Sequence, residues 1–234
     1  MGIGSDRILP TKPLYDRASS MEQCLMVQTA VTQVVKTLND VHQRFGLQRA
    51  QDDHFFTEWY LDLPSLDESE QETLDRIRQR FRYHREAGQV AEGAVNAIVV
   101  SRLLEMAGLY DPPFRLRSEV SVDIETIVEN EPLLGRIDFL VVQEQFWRTV
   151  IESKETEFDI EVGIPQTLAY MMANPTPQKP LFGMVTNGNS YIFLKAKLGQ
   201  VPEYDFSETY TLLSRVNHLY EVLQILKGIA QIAM

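Results

Sequence analysis

Gly135-Arg136-Ile137-Asp138-Phe139-Leu140-Val141-Val142, followed by Thr149-Val150-Ile151-Glu152-Ser153-Lys154, is the stretch that decides how this chain folds. Both runs are rich in Ile, Phe, Leu and Val, the composition of buried strands, yet they contain Asp138, Glu152 and Lys154. Strand interiors of this kind rarely hold ionised groups unless those groups are paired or coordinate a metal. The residues Gln143 to Phe146 are few enough to join the runs as an antiparallel hairpin. With the turn centred near Gln145, Asp138 falls directly opposite Glu152. Like charges facing each other across a hairpin are destabilising, and a divalent cation between them removes the penalty. Side chains alternate along a strand, so Glu152 and Lys154 share a face while Ser153 points away. This is the geometry of a magnesium site with a lysine beside it.

Outward from the hairpin, helical and extended patterns alternate. Arg115 to Val128 reads as a long strand with alternating Val120, Val122 and Ile124, and Val90 to Ala107 before it as a helix ended by Gly108 and Pro112-Pro113. Downstream, Ile160 to Ala173 reads as a helix with Pro165 near its first turn or kinking it. Pro180 to Val185, the turn Asn187-Gly188 and Tyr191 to Lys195 form a hairpin. The order helix, three strands, helix, two strands makes an α/β layer with a mixed sheet.

Earlier in the chain, residues 1–20 read as an irregular arm. Ser20 to about Phe45 reads as one helix stopped by Gly46, and Asp52 to Leu63 as a polar segment with aromatics. Pro64-Ser65-Leu66-Asp67-Glu68 opens a helix that runs to about Arg85, with acidic residues favouring its N-terminus. A last helix spans roughly Thr209 to Ile232. Its Leu212, Leu213, Val216, Leu219, Leu223 and Leu226 suit a core face better than a dimer face. The chain divides into a helical N-terminal extension (1–87), an α/β core (88–200) and a C-terminal helix packed on that core (201–234).

Composition narrows the function classes. The 234 residues suffice for a sizeable core, and one cysteine, Cys24, cannot form an internal disulfide. The four histidines are scattered, with no metal-binding spacing. No run of apolar residues is long enough to span a membrane and residues 1–20 contain no leader-like apolar stretch, so the expectation is a reduced, soluble, cytoplasmic protein. A net charge of −11 argues against coating nucleic acid by bulk electrostatics but leaves local phosphate binding open. One basic stretch, Arg76 to Arg85, has five arginines in ten residues. It reads either as a phosphate-facing patch or as a solvated helix face paired with Asp67, Glu68, Glu70, Glu72 and Asp75.

Asp138, then Glu152-x-Lys154 at the ends of adjacent apolar strands, resembles the signature of the PD-(D/E)XK nucleases. That superfamily shares a restriction-endonuclease-like core, α-β-β-β-α-β, with a mixed sheet flanked by helices. Gln166-x-x-x-Tyr170 on the next helix resembles an extra motif of a subset that includes the nuclease domain of type I restriction motor subunits. Thr186-Asn187-Gly188 is similar to a phrase of that same domain. The resemblance covers roughly residues 88–196; Ile137 stands where the family often has proline, and there is no GxxxxGK[ST] motor motif.

The resemblance implies a magnesium-dependent deoxyribonuclease, read here as an endonuclease of a restriction, defence or repair system, with Mn2+ able to substitute. Asp138, Glu152 and the backbone carbonyl of Ser153 would hold the metal, Lys154 would act on the attacking water, and Gln166 and Tyr170 would contact the phosphate. Glu92, at the start of the helix before the sheet, matches an acidic position common in the superfamily. Glu119 is left outside this set. The implied partners are DNA and either a second copy or a separate motor or specificity subunit. The alternative is a non-cleaving member of the same fold that binds nucleic acid or a protein partner. Bland readings also exist: Asp138 pairing with Arg136, Glu152–Lys154 as an ion pair on a solvated face, and Gln166 and Tyr170 as ordinary packing.

Overall fold

Residues 29–128, 132–143, 146–176 and 179–232 are described by a computed structural model. The arm at 1–20, the first part of the expected N-terminal helix and the hairpin tip at 144–145 lie outside the described residues. The strands are β1 (Gln48–Arg49), β2 (Phe114–Ile124), β3 (Leu133–Gln143), β4 (Phe146–Ser153), β5 (Leu181–Thr186), β6 (Ser190–Lys197), β7 (Glu203–Phe206) and β8 (Tyr210–Thr211). Among the described residues they form one open eight-stranded sheet in the order β1-β7-β6-β5-β4-β3-β2, with β8 beside β6. The sheet is mixed. β4–β5 and β1–β7 run parallel and the other neighbours antiparallel.

Helices cover both faces. On one side lie α3 (Glu68–Glu86), α4 (Glu92–Val95), a π-helical turn (Asn96–Val100), α5 (Ser101–Met106) and α7 (Leu219–Ile232), packed on Val141, Ile151, Phe182, Met184 and Phe193. On the other side lie α1 (Val31–Val34), α2 (Leu38–Phe45) and α6 (Ile160–Met172), packed on Leu140, Val142, Val150, Val185, Ile192 and Leu194. Burial on both faces explains why the central strands read as continuous apolar runs rather than alternating ones. Residues 29–87 supply β1 and α1–α3, and their apolar side chains enter both cores.

The β3–β4 hairpin has the expected register: Phe139 pairs with Ile151 and Leu140 with Val150, so one step further Asp138 lies across from Glu152. A bulge between Val141 and Val142 shifts the pairing near the tip without disturbing that end. β2 and β3 do something the alternation did not suggest. Phe114, Leu116, Phe139 and Val141 belong to the α3/α5/α7 side, whereas Val120, Val122, Ile137 and Leu133 belong to the α6 side. The ribbon changes faces at Glu119, whose φ of +52° is left-handed, and at Asp138, its register partner. Asp138 therefore sits where β3 passes from one face of the sheet to the other.

Two other expectations are corrected. The N-terminal helix is broken: Val35 is extended, and Thr37 and Asp40 form a capping box that starts α2 afresh. The C-terminal helix begins only at Leu219, because Tyr210–Thr211 add a strand to β6 and the Asn217 carboxamide accepts the Leu219 N–H. Aromatic and β-branched residues fit a pleated edge, and Asn favours caps over helix interiors. Leu212, Leu219, Leu223 and Leu226 are core, but Leu213 and Val216 are exposed. Pro165 lies inside α6 rather than in its first turn, and the β5–β6 connection takes in Asn189 as well as Asn187-Gly188.

α6 rests unusually close to the sheet. A Cβ on Gly135 would lie 2.6 Å from Tyr170 Cε1, and one on Gly163 would lie 2.6 Å from Val185 Cγ1. Both contacts are shorter than carbon atoms tolerate, so only glycine lets helix and strands approach to this depth. Gly135→Ala is expected to lower stability by about 1–3 kcal/mol through overpacking, read as a shift in the urea midpoint. Gly93→Ala, where the added methyl meets nothing within 4 Å, serves as the neutral or stabilising control. Equal stability of Gly135→Ala and wild type would contradict this packing.

Candidate active site at the end of the central hairpin

Glu152 is the last but one residue of β4 and is 1% exposed. Its position in the parallel ladder, opposite Val185, leaves the carboxylate under α6. Oε1 accepts from Lys154 Nζ in a very short contact and from Gln166 Nε2 at 2.8 Å. Oε2 is buried with no hydrogen-bond partner. Burial, then the Asp138 carboxylate, pushes Glu152 up to about 8, with Glu92 adding to the rise. Lys154 pulls the other way, and its short contact alone would suggest an ionised carboxylate. Desolvation plus two neighbouring carboxylates outweigh one ammonium, so the upward direction stands.

Asp138 Oδ2 accepts the Ser153 backbone N–H at 2.8 Å and the Ser153 hydroxyl at 2.9 Å. Ser153 therefore does not simply point away, as strand alternation implies. Its hydroxyl turns back and fixes the Asp138 carboxylate. Arg136 is not the partner of Asp138 either; its ion pair is with Glu119, at 3.4 Å. The Lys154–Glu152 pair exists, but within a buried pocket rather than on a solvated face.

Gln166 and Tyr170 lie one turn apart on α6 and both are buried. Gln166 Nε2 donates to Tyr170 Oη at 2.5 Å as well as to Glu152, which makes a chain from Tyr170 through Gln166 to Glu152. Burial, with the Glu152 charge adding to it, pushes that phenol up to about 12. Its hydroxyl thus stays protonated at neutral pH. Glu92 opens α4, half-buried, and burial followed by the Asp138 charge raises its carboxyl. The structure so brings Glu92, Asp138, Glu152, Lys154, Gln166 and Tyr170 into one neighbourhood.

Sequence reasoning missed the residues that hold this neighbourhood together. The Val90 N–H donates to Thr156 Oγ1 and the Thr156 N–H to the Val90 carbonyl, tying the loop after β4 to the start of α4 and Glu92. Thr186 accepts the Lys154 N–H, and Asn187 Nδ2 donates to the Phe158 carbonyl at 2.8 Å. The Thr186-Asn187-Gly188 phrase was the only signal for this bracket. The arginine-rich helix face serves structure: Arg82 donates to the Leu212 and Ser214 carbonyls at 2.9 and 3.1 Å, and Arg78 to those of Ser214 and Arg215. Of the expected pairings with upstream acids, Arg76–Glu72 is present at 3.7 Å.

Among the described residues, no three His, Cys, Asp or Glu side chains gather closely enough to hold a metal by themselves. A hard divalent ion such as magnesium needs only one or two carboxylates, with water and substrate oxygens completing its shell. The unpartnered buried Oε2 of Glu152, beside a second carboxylate, fits that requirement. Leaving such an oxygen without a partner is otherwise costly.

The chain is similar to a fragment of a putative HsdR subunit of a type I restriction enzyme from Vibrio vulnificus YJ016. That likeness has 16% identity and a TM-score of 0.36, over 53% of this chain and 24% of that one. It is also similar to a chain in the cryoEM structure of a DrdV–DNA complex, with 16% identity and a TM-score of 0.44, over 67% of this chain and 14% of that one. The chain spans a quarter or less of either solved chain. No protein-family model and no curated protein matches the sequence. At this identity and overlap the site stands on its own geometry. Among the described residues no helix is long and apolar enough to cross a membrane.

The raised Glu152 has a consequence for stability. Between the ordinary value of 4.5 and about 8 the folded chain keeps a proton that the unfolded chain has released. Its contribution to stability is therefore complete below 4.5 and is lost as pH rises through about 8. In metal-free buffer the wild-type Tm is expected to fall over this window, while Glu152→Gln, which cannot ionise, falls less. Magnesium should restore the wild type at the alkaline end and leave the variant unchanged. Parallel pH profiles for the two proteins would contradict the assignment.

Proposed function

We propose that this chain is a magnesium-dependent nuclease of the restriction-endonuclease-like fold that hydrolyses DNA phosphodiester bonds. The observation that carries the proposal is the buried Glu152 carboxylate, with one oxygen held by Lys154 and Gln166 and the other unpartnered beside Asp138. Asp138, through the oxygen that Ser153 does not hold, and Glu152 would bind the divalent ion, with the Ser153 carbonyl as a further ligand. When bound, the ion supplies Lewis-acid stabilisation of the charge that builds on the phosphate.

The chain's own groups then divide the remaining work. Lys154 lies at the mouth of the pocket, 18% exposed. There it donates a hydrogen bond to the attacking water or to the pentavalent phosphate. Gln166 fixes the rotamer of Glu152, and the protonated Tyr170 hydroxyl fixes Gln166, so the carboxylate is aimed before substrate arrives. Glu92 adds a third carboxylate at the rim. Cutting both strands of a duplex calls for two such sites, supplied by a second copy or by a separate motor or specificity subunit.

The test is cleavage of plasmid and single-stranded DNA with magnesium or manganese, with Glu152→Ala beside the wild type. Loss of about three orders of magnitude, equivalent to about 4 kcal/mol of transition-state stabilisation, is expected. Lys154→Ala should lose cleavage while still binding metal. DNA binding without cutting on any substrate would favour the non-cleaving member of the fold. Metal-dependent cutting that survives in both variants would overturn the site.

A further inference from the structure

Glu119 is the residue of β2 that the register places across from Asp138, between the pairs Ser118–Phe139 and Val120–Ile137. In an extended conformation its carboxylate would face Asp138 directly and add a further like charge beside Glu152 and Glu92. Instead its φ is +52°, a left-handed conformation that costs a non-glycine residue of order 1–3 kcal/mol. That turn of the backbone diverts the side chain to Arg136, at 3.4 Å from the guanidinium. The pair is open to solvent, with side-chain exposures of 64% for Arg136 and 69% for Glu119. Exposed pairs of this kind contribute little, about 0–1 kcal/mol, so Arg136 exchanges partners readily.

Arg136 itself is tied to the site from two directions. It lies two residues before Asp138 on β3 and next to Gly135, against which the Tyr170 ring packs. Its charge is also felt at Glu92. The other cation of the site, Lys154, rests on Glu152 and is assigned to the scissile phosphate rather than to its neighbours. A phosphate flanking the scissile one would then meet the Arg136 guanidinium, exposed and held loosely at the rim.

We propose that Arg136 is a substrate-contact residue that grips a DNA phosphate next to the scissile one. Glu119 is its resting partner, a carboxylate that the incoming phosphate displaces. Arginine suits the task because its planar fork matches phosphate oxygens in bidentate fashion. This inference rests on the nuclease reading above and adds the group that recognises the polyanionic backbone.

The experiment is binding of a short fluorescein-labelled DNA duplex to the whole chain across a salt series, with calcium as the divalent ion in its more permissive oxygen coordination. Arg136→Ala is expected to weaken binding about tenfold and to flatten the plot of log affinity against log salt by about one, the signature of one lost phosphate contact. Its Tm should match the wild type, since the side chain removed is exposed and its pair with Glu119 is open to solvent. Arg136→Lys should keep most of the salt slope and part of the affinity. Glu119→Gln, which removes the competing carboxylate, should tighten binding a few-fold with the slope unchanged. Wild-type affinity and slope in Arg136→Ala would overturn the inference and leave the nuclease reading standing, as would weaker binding with the slope intact. Weaker binding by Glu119→Gln would overturn the competing role given to Glu119. Failure of the wild type itself to bind DNA would overturn the nuclease reading and this inference together.

Discussion

A carboxylate at the end of a buried strand, Glu152, sets the terms for everything around it. Strand β4 lies in the middle of the sheet, flanked by β3 and β5 and covered by α6. Water cannot solvate the charge there, so the protein must answer it with its own groups. It does so for one oxygen only, through Lys154 and Gln166, and leaves the other without a partner. Asp138, which would worsen the repulsion if free, is pinned by two bonds from Ser153. A fully satisfied structural carboxylate would show neither the orphan oxygen nor the second carboxylate beside it. On the proposed function, the orphan oxygen and its neighbouring carboxylate would receive a divalent cation.

The rest of the fold delivers that arrangement. The close seating of α6, permitted by Gly135 and Gly163, is what lets Gln166 and Tyr170 reach down to β3 and β4. The face change of the β2–β3 ribbon at Glu119 and Asp138 carries the Asp138 carboxylate to the edge of the α6 side, where Glu152 waits. The loop after β4 is then clamped twice, to Val90 by Thr156 and to the β5–β6 turn by Asn187. Those clamps fix Lys154 and Glu92 relative to the two carboxylates. Each device lies in a different part of the chain, and each acts on the same few ångströms of space.

Much of this was legible in the sequence, for identifiable reasons. The hairpin register followed from two apolar runs joined by a link short enough for a tight turn, which centres the pairing near Gln145. The helix–three strands–helix–strand order followed from switches between extended and helical periods, and Gln166 and Tyr170 from the resemblance of Gln166-x-x-x-Tyr170 to a nuclease motif, with their spacing of four placing them on one helical face. What was not legible depends on contacts distant in sequence. Thr156 meets Val90 across 66 residues and Asn187 meets Phe158 across 29, and no local pattern announces either. A left-handed Glu119 in mid-strand gives no signal at all, because glycine is the residue that marks such positions. The C-terminal helix misled for a plainer reason. Leu212, Leu213 and Val216 mimic helical spacing, but Tyr210 and Thr211 are taken by the edge of β6.

The most direct test of the central claim is an anomalous difference map from crystals soaked in manganese above pH 8, where Glu152 is ionised. The account predicts a peak about 2 to 2.5 Å from Glu152 Oε2 and from an Asp138 oxygen, the range for a divalent ion on carboxylates. A map with no peak there, and with Oε2 still lacking any partner, would contradict it.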